Sequence, residues 1–296
     1  MEQKLIKHEL GFLQVDPLPT VSELNEYYSK LYYQESLSST YQSDYNEEEL
    51  SYIKSKISQK AFAINQHKSV EIGRLLDVGC GEGFVMRHYF DKKWAVNGID
   101  FSEYGITSFN PDLLKFFEKG DIYSILETKI ENSEKFDIIW MGNVLEHVID
   151  PIHLLKRLKL LLNSNGTLVI TVPNDGSSFQ ELLLNKKYVN RNSWIAYPDH
   201  LSYFSYQNLI KIAHYTGYDW FELVADFPID FFLLHSGSNY VINSDLGKEA
   251  HKARIEMENF IADAPFEVVN AFYANLAKLG LGRDLTIFLT PSEINQ

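Results

Sequence analysis

From Arg74 onward the chain repeats one texture: short apolar runs separated by stretches whose apolar residues recur every three or four positions. The runs Leu75–Val78, Ala95–Ile99, Leu114–Phe117, Phe136–Trp140 and Thr167–Val172 are short and nearly continuous, the pattern of strands covered on both faces. Between them the periodicity predicts helices near Phe84–Phe90, Ser102–Phe109 and Pro151–Leu162. The last opens with a proline, whose missing N–H costs nothing in a first turn. Such alternation predicts a parallel sheet layered by helices. A sixth run, Trp220–Val224, follows a helix at Gln207–Tyr215 closed by Gly217. Two further helices, Leu246–Ala262 and Phe266–Leu279, then precede a last strand at Leu285–Leu289.

Residues 1–70 read differently. Pro17 and Pro19 break the chain, and Thr20-Val-Ser-Glu23 has the form of a capping box opening a helix through about Tyr33. A polar stretch from Ser36 to Asn46 leads to a second helix over Glu47–Gln66, and no strand is expected in this region. The expected organisation is therefore an N-terminal helical lid (1–70), an α/β core (71–225), a helical insert capping the substrate (226–283) and a last core strand with its tail (284–296). Seven of the 18 tyrosines fall between Tyr27 and Tyr52, which suits either helix-packing bulk or a lid over a ligand.

Charge and cysteine content narrow the classes. Lys and Arg number 27 against 40 Asp and Glu, a formal net charge of −13, which disfavours a broad nucleic-acid or anionic-membrane surface. The single cysteine permits no internal disulfide and no cysteine-based zinc site. No apolar run is long enough to span a bilayer, and MEQKLIKHEL lacks the apolar stretch of a signal peptide. The expectation is a cytoplasmic protein.

The chemistry begins at Leu75-Leu-Asp-Val-Gly-Cys-Gly-Glu-Gly83, where a buried strand turns into a helix. Glycines at alternate positions accept positive φ and admit a ligand close to the backbone, and the following helix start offers free N–H groups. Asp100 ends the second strand, 23 residues after Asp77, where an acid accepts hydrogen bonds from ribose hydroxyls. The loop is Gly-x-Gly-x-Gly behind an aspartate rather than the dinucleotide Gly-x-Gly-x-x-Gly. An aspartate there repels a phosphate and suits an ammonium group, which favours S-adenosylmethionine (SAM) over NAD.

Taken whole, Leu75–Gly83 resembles motif I of the class I SAM-dependent methyltransferases. Asp100 stands where that family has its ribose acid, and Gly120-Asp121-Ile122 resembles its adenine-contact motif. Phe136–Pro151 resembles the fourth-strand motif of the branch that includes the ubiquinone-biosynthesis O-methyltransferases, and Gly166–Asn174 the fifth strand. The resemblance implies a Rossmann-like sheet of seven strands with the last antiparallel. It also implies that Asp77, Gly79, Cys80 and Gly81 contact the methionine part, Asp100 and Phe101 the ribose and adenine edge, and Asp121 and Ile122 the adenine. Asn143 and Val144 border the sulfonium.

His200, in Tyr197-Pro-Asp-His200, and His147, in Leu-Glu-His147, are the candidate bases for an acceptor hydroxyl; each is equally readable as a loop-bonding histidine. Some ubiquinone-branch enzymes carry Glu-x-x-Glu-His as a cation motif, but here Asn143 replaces the first carboxylate, so no metal is expected. Val21–Tyr33, Phe227–Leu234, Gly247–His251 and Gly280–Asp284 resemble segments of methyltransferases acting in bacterial polysaccharide and nucleotide-sugar pathways. That branch implies O-methylation of a sugar hydroxyl in capsule or lipopolysaccharide synthesis, with Tyr32, Tyr33, Tyr197 and Arg283 as acceptor contacts and S-adenosylhomocysteine (SAH) as product. His251 is a further possible contact for an anionic group. The alternatives are a small-molecule O- or N-methyltransferase acting on a quinone precursor or secondary metabolite, and a non-catalytic SAM-binding protein.

Overall fold

In the computed structural model, which describes residues 4–20, 22–24, 27, 44–190 and 192–292, the chain opens with two short strands, β1 (Lys4–Lys7) and β2 (Leu13–Asp16). They pair antiparallel, and β2 pairs again with the distant β8 (Ser202–Tyr203). This three-stranded sheet corrects the expectation of a strandless N-terminal region. Four-residue strands carry too little alternation to read, and the third partner comes from the far side of the core. The capping box at Thr20 is present: its N–H and Oγ1 donate to Glu23 Oε2 at 2.7 and 2.8 Å. The rest of the helix expected through Tyr33 lies outside the described residues.

Helix α1 (Glu47–His67) starts where Asn46 Oδ1 accepts Glu49 N–H and Glu49 Oε2 accepts Asn46 N–H, both at 2.9 Å. Three glutamates in its first turn complement the positive end of the helix dipole. The main sheet follows as β3 (Arg74–Val78), β4 (Ala95–Asp100), β5 (Phe117–Lys119), β6 (Phe136–Gly142), β7 (Leu162–Pro173), β9 (Tyr218–Ala225) and β10 (Asp284–Pro291). Its order is β5-β4-β3-β6-β7-β10-β9, with β10 antiparallel to both neighbours, as the resemblance implied. The third strand sits later than expected because Pro111–Phe116, behind a proline, forms a 3-10 helix instead.

Helices α2 (Phe84–Asp91), α3 (Tyr104–Phe109), α4 (Ile122–Glu131), α5 (Pro151–Leu161), α6 (Ser178–Asn185) and α7 (Tyr206–Tyr215) connect the strands. Alternate residues of the strands enter two cores. Leu76, Ile139 and Met141 pack with Leu154 and Leu158 on one side, and Leu75, Ile138 and Trp140 pack with Met86 and Tyr89 on the other. Burying such side chains stabilises by ~1.5–3 kcal/mol each, before the entropy cost of ordering them.

Helices α8 (Gly247–Ala262) and α9 (Phe266–Lys278) precede β10 and lie against α1. Asn259 Nδ2 donates to Glu48 O at 3.0 Å, Lys56 Nζ to Glu258 Oε2 at 3.3 Å, and Gln59 Nε2 to Asn270 Oδ1 at 2.8 Å. The helical additions before and after the core thus meet beside the carboxyl edge of the sheet. Among the described residues, no helix is long and apolar enough to cross a membrane.

Candidate functional site

Beyond Val78 the chain turns through Gly79, Gly81 and Gly83, at φ of +72°, +50° and +75°. At Gly79 a Cβ would lie 2.3 Å from Val144 Cγ2, so only glycine lets this loop sit against the end of β6. Asp100 braces the loop from the neighbouring strand: its Oδ2 accepts Gly81 N–H at 2.9 Å and its Oδ1 accepts Ser102 N–H at 3.0 Å. Each carboxylate oxygen keeps a lone pair for a further donor.

Asp77 is buried, and its Oδ2 has no hydrogen-bond partner among the described residues. Burial, with the Asp100 charge beside it, pushes its carboxyl up to about 8. A buried acceptor left unpaired costs ~1–3 kcal/mol, and an ammonium group is the partner that would restore its charge. The orphaned oxygen and the glycine cradle therefore fit the amino-acid end of SAM.

The other expected cofactor positions surround this loop. Cys80 is buried, and burial next to the Asp77 and Asp100 carboxylates pushes its thiol up, the opposite of an activated nucleophile. Its Sγ packs over Gly98, where a Cβ would meet it at 2.9 Å. Phe101 is half-buried against the core. Asp121 is exposed and caps α4, accepting Ser124 N–H and Oγ–H at 2.9 Å, while Ile122 is buried. Asn143 has φ +54°, and its N–H donates to Thr171 O at 2.9 Å.

Glu146, His147 and His200 converge, with one potential ligand atom from each within 4.8 Å of the others. His147 Nδ1 donates to Asp199 O at 2.7 Å, and the His147 and His200 rings meet edge to face at 5.0 Å. Burial, then the His200 charge, drive the His147 imidazole down to about 4, so it is neutral near pH 7. Glu146 is 1% exposed, neither carboxyl oxygen has a hydrogen-bond partner among the described residues, and burial holds its pKa well above the usual carboxylate range. His200 Nδ1 donates to Asp175 Oδ2 at 3.2 Å, and the other oxygen of buried Asp175 accepts from Arg283 Nη1. Because Asp175 engages Nδ1, Nε2 is the His200 nitrogen without a hydrogen-bond partner among the described residues.

Arg283 is therefore the ion-pair partner of an interior aspartate as well as a neighbour of the expected acceptor site. Tyr197 is 38% exposed, and Tyr32 and Tyr33 lie outside the described residues. Of the other clustered tyrosines, Tyr27 OH donates to Asp199 Oδ1 at 3.0 Å and Tyr45 OH to Glu82 Oε1 at 2.9 Å. Tyr27 thus joins the leader to the His200 loop, and Tyr45 joins it to the glycine loop. His251 faces Glu49 at 3.4 Å. Asp175 and the unpaired state of Glu146 escaped sequence reasoning; the Pro173-Asn174-Asp175 run just past a predicted strand is the signal that marks Asp175.

A family described as "Methyltransferase domain" matches residues 43–223. Among curated proteins, a ubiquinone biosynthesis O-methyltransferase of Bradyrhizobium diazoefficiens is 27% identical over 179 residues, 55% of this chain and 71% of its own length. One from Rhodopseudomonas palustris is 30% identical over 128 residues, 43% of this chain and 50% of its own length. The chain thus spans about half the length of several such relatives. In fold it is similar to the 1,6-didemethyltoxoflavin-N1-methyltransferase of Burkholderia thailandensis, solved with bound 1,6-didemethyltoxoflavin and SAH, at a TM-score of 0.51 and 13% identity, covering 99% of this chain and 100% of that one.

Proposed function

The chain belongs to the methyltransferase-domain family, and from that premise we propose that it moves the methyl group of SAM onto a hydroxyl of a small molecule, leaving SAH. The donor supplies an electrophilic methyl on a sulfonium. Everything else is the work of this chain's residues: Asp77 takes the ammonium, Asp100 the ribose, and Gly79 with Val144 shapes the floor on which the sulfonium rests. Asn143, Asp121, Ile122 and Phe101 complete the cofactor's surroundings.

The observation that carries O-methylation is the Arg283–Asp175–His200 chain at the same strand edge as Asp77. Strands β3, β6 and β7 are adjacent and parallel, so the residues after each emerge together. Asp175 holds the His200 Nδ1–H, and Nε2 accepts the hydroxyl proton as the oxygen attacks in line. His147, whose pKa burial depresses, serves to position the loop through Asp199. The relatives named above are ubiquinone-pathway O-methyltransferases, so the small-molecule alternative leads, and the surface-glycan acceptor expected from the sequence gains nothing from them.

Turnover of labelled SAM against an acceptor panel tests the activity. His200→Ala should cut kcat by roughly 10²–10⁴ while SAH affinity is kept. Near-normal turnover would move the base elsewhere.

A further inference from the structure

Helix α9 is covered on one side only. Val269, Asn270, Tyr273 and Ala277 are buried against α1 and β9, with the Asn270 side chain bonded to Gln59. The opposite side carries Val268, Phe272 and, directly after the helix, Leu279, which are 60%, 44% and 67% exposed. At 3.6 residues per turn these three and Asn275 fall within about 60° of one another around the axis, a stripe running three turns along it. The amide of Asn275 is engaged within the helix, Nδ2 donating to Ala271 O at 2.8 Å. A surface helix keeps polar side chains on its outer face, whereas apolar residues four and seven positions apart have the spacing of helices that pack on a second helix.

Glu267 and Lys278 border the stripe. They are eleven positions apart in the chain, about three turns and 16 Å, so they stand on one flank at opposite ends. Both are exposed, and neither forms an ion pair among the described residues, although the Lys278 charge reaches Glu222. Between them on that flank lie Ala271 and Ala274, whose small side chains let another backbone come close.

We infer that this face is a self-association surface, on which α9 of a second copy lies antiparallel across a two-fold axis. The charges select that arrangement: the axis brings Glu267 of each copy beside the partner's Lys278, so the same ion pair forms twice, whereas a parallel pairing leaves the opposite charges three turns apart. The apolar stripe obeys the same symmetry. Val268 faces the partner's Leu279 and Phe272 faces the partner's Asn275, with a centre that agrees with that of the charge pairs to within one residue, and the two Phe272 rings meet near the axis. A membrane surface suits the face less well, because an interfacial helix is flanked by Lys and Arg, while this one carries a single cation matched by a single acid and belongs to a chain of net charge −13. That net charge opposes association at long range, and a helix about 20 Å long buries less than the roughly 800 Å² per partner of a standard interface, so the dimer is a concentration-dependent one.

Sedimentation equilibrium of the full chain between about 1 and about 200 µM tests this. The wild type should pass from monomer toward dimer over that range, and a monomer throughout would overturn the inference. Phe272→Glu should weaken association at least roughly tenfold while the thermal midpoint stays within about 3 °C of the wild type; an unchanged dissociation constant would place the contact elsewhere and overturn it. Glu267→Lys and Lys278→Glu, both at exposed positions, should each weaken the dimer by setting like charges together at both ends, and the double exchange should restore it. A double variant as weak as either single one would rule out the antiparallel pairing and the inference with it. In flotation with vesicles of phosphatidylcholine and phosphatidylglycerol the wild type should stay unbound; vesicle binding that Phe272→Glu abolishes would give the face to a membrane instead.

Discussion

At the scale of single residues, Asp77 carries the clearest electrostatic consequence. In the free protein its carboxyl titrates at about 8 because it is buried beside Asp100, whereas an unfolded aspartate titrates near 4. The folded chain therefore holds a proton that the unfolded chain has lost, and this group's contribution to stability falls as pH rises from about 4 to about 8. An ammonium group bound to Asp77 reverses the shift. SAH binding at pH 7 should then release a proton, and affinity should strengthen as pH climbs toward 8. Calorimetry at one pH in buffers of different ionisation enthalpy checks this; equal heats in all buffers would show that Asp77 does not titrate on binding. Glu146 has a similar character, a buried acid whose pKa burial raises and whose two oxygens have no hydrogen-bond partner among the described residues.

At the scale of elements, the cofactor loop depends on what packs behind it. Gly105 opens α3, and a Cβ there would lie 2.8 Å from both C and O of Gly81. Backbone atoms cannot rotate aside as the end of a flexible side chain can. Gly105→Ala should therefore displace the glycine loop at an overpacking cost of about 1–3 kcal/mol, read as roughly 5- to 150-fold weaker SAH binding by calorimetry. Unchanged affinity would mean that α3 moves away as a unit. The helices over the edge follow the same logic, since α1 is joined to α8 through Lys56–Glu258 and to α9 through the buried Gln59–Asn270 pair.

At the scale of the whole molecule, the β6 end and the His200 loop come together through backbone bonds. Leu201 N–H donates to Glu146 O at 2.8 Å, and Tyr203 extends the small sheet that β1 and β2 begin. This assembly brings His200 to Glu146 and His147, a grouping that the Asn143-x-x-Glu146-His147 spacing did not announce. The proposed deprotonation by His200, oriented by Asp175, needs no Lewis acid, so chelator treatment should leave turnover intact. Loss of activity restored by Mg²⁺ would give the three side chains to a metal instead.

The local segments were legible in the amino-acid order: the strand runs of the core, the helix starts at Asn46 and Pro151, and the glycine loop between Asp77 and Phe84. Each depends on neighbours a few residues apart, through side-chain periodicity, capping geometry or the φ freedom of glycine. The family resemblance rests on the same contiguous motifs. Only the tertiary structure decided that Lys4–Lys7 and Leu13–Asp16 form strands and that Arg283 answers Asp175. Pairing and burial are properties of three-dimensional neighbours: Asp175 lies 108 residues before Arg283, and β2 pairs with Ser202–Tyr203 far along the chain, beyond the reach of any local pattern.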